Sequence, residues 1–79
     1  MDLRTFLATR DVTQEAAGLL AGVDASTISR ICSGESRARP KTIVRLAKAL
    51  GVSARRMAAM CDTSWAAAQE EDQDEAIPA

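Results

Sequence analysis

The chain has 79 residues, enough for one small domain near the lower size at which packing alone sustains a core. Its apolar residues, 47% of the total, are mostly Ala, Leu, Val and Ile, with one Phe, one Trp and no Tyr. That mix favours packed helices over strands, and no apolar run approaches the ~20 residues that span a bilayer. The net charge of −1 hides a split: residues 1–56 hold ten bases against five acids, net +5, and residues 57–79 hold six acids and no base.

The opening MDLRTFLATR has an early acid and no long apolar stretch, so it does not read as a signal peptide. It reads instead as a first helix from about Asp2 to Arg10, with Leu3, Phe6 and Leu7 on one face. Thr13 caps a second helix that runs to about Ala21, and Gly22 ends it. Val23 and Asp24 make a short turn, with Asp24 as cap for a third helix, Ala25–Ser33, anchored by Ile28 and Ile31 and stopped by Gly34. Glu35–Arg39 is a polar loop, and Pro40 suits the first turn of a fourth helix, Lys41–Leu50, expected to bury Ile43, Leu46, Ala47 and Leu50. Gly51 stops that helix, and Ser53 caps a fifth with Met57, Met60 and Cys61. New capping residues at Asp62–Ser64 suggest an extra short helix over 62–69. Beyond Glu70 the run EEDQDEAIPA is too polar to bury a core. The expectation is an all-α bundle of five helices, or six with the short one. Residues 1–61 form the domain, 62–69 the extra helix, and 70–79 a disordered acidic tail.

The segment Thr13–Gly34, TQEAAGLLAGVDASTISRICSG, is the informative one. Two helices that cross steeply need small residues where they approach and a residue of positive φ at the corner. Ala17 and Gly18 supply the first and Gly22 the second, while Val23 fills the wedge. The third helix then has an outer face of Ala25, Ser26, Ser29 and Arg30, short groups around one long cation. Leu19 and Leu20 read as core or helix-packing residues.

These residues resemble the lambda-repressor/Cro-like helix-turn-helix family of phage and bacterial transcription regulators. The similarity lies in Gln14 at the head of the second helix, the small Gly18, and the turn Gly22-Val23-Asp24. It continues through the run Ser26-Thr27-Ile28-Ser29-Arg30-Ile31, the closing Gly34, and the stretch IVRLAKALGVS at 43–53. It covers about residues 3–61. The resemblance implies a regulator that binds a double-stranded DNA operator by placing helix 25–33 in the major groove. By position, Ala25, Ser26, Ser29 and Arg30 would face base edges, Arg30 matching the O6 and N7 of guanine. Gln14, Thr27, Ser33, Arg37, Arg39 and Lys41 would meet phosphates. Two departures stand out: Ala17 and Ala21 occupy sites where larger apolar residues are usual, which predicts a thinner core. Ala25 offers the first base-facing position no hydrogen bond, only a fit to the groove or a thymine methyl.

No cofactor and no small-molecule ligand is expected. The chain lacks histidine, neither Cys32 nor Cys61 has a ligand set beside it, and no serine stands next to a plausible base. An enzyme is therefore not expected, and the cysteines read as reduced, semi-buried small hydrophobes of a cytoplasmic protein. The rival is a protein-interaction module, an adaptor or antitoxin built on the same helix-turn-helix. On DNA a homodimer is expected, with Met57, Met60 and Trp65 as the candidate contact unless Trp65 simply caps the core. Small size points to a phage-type Cro-like or immunity repressor. The charge split further suggests that the acidic end covers the basic DNA face when DNA is absent. Deleting residues 70–79 should then tighten duplex binding at low salt, and unchanged affinity in that titration would contradict it.

Overall fold

A computed structural model describes residues 1–76, with side chains through residue 70. Among them are five helices and no strand: α1 Leu3–Thr9, α2 Gln14–Ala21, α3 Ala25–Ser33, α4 Pro40–Leu50 and α5 Ala54–Ala76. Most of the starts are set by capping. The Asp2 carboxylate accepts from the Thr5 N–H at 2.8 Å, and hydrogen bonding to Thr5 holds that carboxyl below its usual range. The Thr13 hydroxyl accepts from the Ala16 N–H at 3.0 Å, and the Ser53 hydroxyl from the Arg56 N–H at 3.1 Å. Asp24 departs from expectation: it holds the N-cap position of α3, but its side chain makes no capping bond.

The core joins Leu3, Phe6 and Leu7 of α1 to Ile28 and Ile31 of α3, Leu46 of α4 and Met57 of α5. α3 packs on α2 and α5, α4 packs on the same two helices, and α1 lies chiefly against α5. α2 contributes little more than Ala17 and Ala21, as thin as the sequence predicts. Val23 packs against the core as a half-buried wedge, and Ile43 is likewise half-buried where full burial was expected.

Three further expectations are overturned. Leu19 and Leu20 are 81% and 63% exposed. The buried side of the eight-residue α2 is set by Ala17, Gly18 and Ala21, and the 3.6-residue repeat turns the two leucines off it. Met57 and Met60 are core residues, 0% and 4% exposed, so they offer no surface to a second copy; Trp65 is half-buried. Residues 62–69 form no separate helix but lie inside α5. The hydroxyls expected to cap there bond back along the helix instead, Thr63 to the Ala59 carbonyl at 2.9 Å and Ser64 to the Met60 carbonyl at 3.3 Å. The Ser64 hydroxyl also accepts from the Leu3 N–H at 3.1 Å, so α5 satisfies an otherwise orphaned donor of α1. The backbone of α5 continues to Ala76. All but the first residue of the tail expected over 70–79 falls beyond the described side chains, and its last three residues lie outside the described residues altogether.

Two glycines hold the helices at close range. A Cβ on Gly18 would stand 2.5 Å from the Val23 carbonyl oxygen. Gly34, at φ +80°, ends α3 directly against α5, where a Cβ would collide with that of Ala68 and lie 3.0 Å from the Ser64 carbonyl oxygen. Gly51 has a similar φ of +71° but open space around it, so the pair separates crowding from backbone strain. Gly51→Ala should cost about 1–2 kcal/mol for the left-handed backbone alone. Gly34→Ala should cost about 1–3 kcal/mol more from overpacking. Urea unfolding of the two variants checks this, and equal losses would contradict the close packing of α3 on α5.

Candidate nucleic-acid interface

α3 is a two-sided helix. Ile28, Ile31 and Cys32 turn inward, and Ala25, Ser26, Ser29, Arg30 and Ser33 are exposed on the opposite side, with Thr27 half-buried between. Nine residues at 1.5 Å each give a rod about 13 Å long and, side chains included, about 10–12 Å across, a thickness that a groove about 12 Å wide admits. Because four of the five outer side chains are Ala or Ser, the backbone can approach a flat surface closely. Arg30 alone reaches further. All four residues expected to face bases therefore share this exposed side.

On one flank of α3 lies an open basin of about 410 Å³. Thr27 and Arg30 of α3, Arg37 and Arg39 of the loop, and Thr42 and Arg45 of α4 help to line it, and among the described residues no acidic side chain does. Four arginines from three segments thus border one concavity. The loop is folded back there by Glu35 and Ser36, whose N–H groups donate to the Arg30 carbonyl at 2.9 and 3.3 Å. Arg45 crosses toward the corner between α2 and α3, its Nη1 donating to the Gly22 carbonyl at 3.5 Å. Arg37 leans the other way. It pairs with Asp62 at 3.4 Å and lies 5.7 Å from the centre of the Trp65 ring, tying the loop to α5. With both charged side chains about two-thirds exposed, that pair contributes less than about 1 kcal/mol and leaves Arg37 exchangeable.

The opposite flank carries a smaller hollow of about 270 Å³, lined in part by Asp2, Arg4, Cys32 and Ser33. The Ser33 hydroxyl is turned back onto the Arg30 carbonyl at 3.2 Å. Burial pushes both thiols up, Cys61 to about 11 and Cys32 in the same direction, so neither is a thiolate at neutral pH.

Of the residues expected to meet phosphate, Thr27, Arg37 and Arg39 are brought together with Arg30 in the basin. Ser33 lies in the other hollow. Gln14 is half-buried at the first position of α2 and Lys41 is exposed in the first turn of α4; neither lines the basin. The structure adds Thr42 and Arg45 on one side of α3 and Arg4 on the other. The three-residue spacing of Thr42 and Arg45 puts both on one side of α4, a signal that passes for ordinary surface polarity until the loop is seen to fold against it.

Comparison with known families matches residues 3–57 to the helix-turn-helix family. No curated protein and no solved structure matches the chain.

Proposed function

The chain belongs to the lambda-repressor/Cro-like helix-turn-helix family of DNA-binding regulators, and from that premise we propose that it is a sequence-specific operator binder that inserts α3 into the major groove. The observation that carries this reading is the outer face of α3, short side chains around the single long Arg30, bordered by a basin that four arginines and, among the described residues, no acid line. In this reading Arg30 reads a guanine through its paired donors. Ser26 and Ser29 flank it, and Ala25 allows close approach or meets a thymine methyl. Gln14, Thr27, Ser33, Arg37, Arg39 and Lys41 hold backbone phosphates, Gln14 with help from the N-terminus of α2. These contacts fix register and orientation while the α3 face supplies the sequence preference.

At the finer level the protein acts as a phage-type Cro-like or immunity repressor in the bacterial cytoplasm, on the nucleoid. It binds as a homodimer to half-sites about one helical turn apart. Residues 1–61 supply the DNA-binding unit. No helix among the described residues is long and apolar enough to cross a membrane. A second reading, an adaptor or antitoxin module, draws its support from the exposed Leu19 and Leu20 on α2, which suit a protein partner better than DNA.

Selection from a random duplex pool with wild type and Arg30→Ala separates the two. The operator reading predicts one enriched motif for wild type and, in the variant, relaxed preference at one guanine by on the order of 10- to 100-fold, the worth of a paired Arg–guanine contact. The same motif and preference in both proteins would remove Arg30 as a reader. No binding to any duplex at low salt would put the adaptor reading first.

A further inference from the structure

We propose that Arg45 is a sequence-independent DNA contact: its guanidinium, on the far wall of the basin from Arg30, takes a backbone phosphate of the strand that runs along that flank of α3. The inference rests on α3 entering the major groove and adds to it a residue on a different helix. Thr27 and Arg30 of α3 form one wall of the basin, so a duplex that seats α3 in its groove carries one phosphate ridge over the basin's mouth. The opposite wall is α4, with Thr42 and Arg45 side by side.

Charge argues the same way. Arg30, Arg37, Arg39 and Arg45 border the basin, with no acid among its described lining residues. Only Arg37 of the four is in an ion pair among the described residues. Like charges gathered in one concavity repel, and an anion placed among them relieves that repulsion. The single hydrogen bond of Arg45, to the Gly22 carbonyl at 3.5 Å, is at the limit of useful length and engages one of five guanidinium donors. It aims the group across the helix-turn-helix corner while leaving its other donors free to face the basin. A phosphodiester suits such a fork, because two parallel N–H groups meet two phosphate oxygens.

The test compares wild type, Arg45→Gln and Arg45→Lys on the duplex that wild type selects, by affinity titration over a range of salt concentrations and by thermal melting. Gln removes the charge and, being two bonds shorter, gives up only the long bond to the Gly22 carbonyl. Arg45→Gln is expected to weaken binding and to lower the slope of log affinity against log salt by about 0.9, one phosphate's worth of released counterion. It should select the same motif as wild type and melt at the same temperature, and Arg45→Lys should restore the slope. A wild-type slope for Arg45→Gln overturns the proposal while leaving the operator reading intact. A changed motif overturns it too, since Arg45 would then be reading bases. If wild type binds no duplex, the operator reading fails and this contact fails with it.

Discussion

At the corner between α2 and α3 there is no room for a methyl group. Gly18 lies so near the following turn that a Cβ there would stand 2.5 Å from the Val23 carbonyl oxygen and 3.3 Å from the Ala25 nitrogen. Gly18 also accepts the Val23 N–H at 2.8 Å, so one residue both closes the turn and permits the approach. Gly22, at φ +69°, reverses the chain just beyond. The direction of α3 follows from this contact, and Ile28 and Ile31 then decide which of its sides is buried. Gly34 repeats the logic at the other end, where α3 stops against Ser64 and Ala68 of α5. A nine-residue helix fixed at both ends is a rigid presenter of its outer side chains, and the small buried residues of α2 let it pack closely on both α3 and α4.

Charge follows the same scaffold. The chain as a whole is nearly neutral, yet four arginines border the basin beside α3 because the loop after Gly34 folds back onto Arg30 and brings Arg37 and Arg39 opposite α4. The six acids of residues 57–79 all fall within α5, and the first of them, Asp62, already pairs with Arg37. Local field, not net charge, governs attraction to a polyanion, so a protein with a net charge of −1 presents a strongly basic flank.

Helix starts, helix stops and the helix-turn-helix corner were legible in the sequence because each rests on a local rule. Thr13 and Ser53 cap, Gly22 and Gly51 reverse, and Pro40 begins α4. What the sequence concealed depends on which elements meet. Leu19 and Leu20 look like core residues by type, but the narrow inner side of α2 leaves them outside. Asp62, Thr63 and Ser64 look like a new helix start, but Ser64 is needed inside α5 to receive the first N–H of α1. Met57 and Met60 are apolar residues that could as well be surface contact as core, until α1, α3 and α4 close over α5. On the functional side, the outer residues of α3 followed from periodicity. Arg45 did not, because its significance comes from a loop and a corner distant in sequence.

The central claim, that the outer side of α3 and the basin beside it are the surface that meets DNA, is tested most directly by residue-resolved NMR of the full chain titrated with its selected duplex. The account predicts the largest amide shifts at residues 25–30 and 37–45, with the signals of Leu19 and Leu20 nearly unmoved. Shifts concentrated at Leu19 and Leu20, with α3 unperturbed, would contradict it.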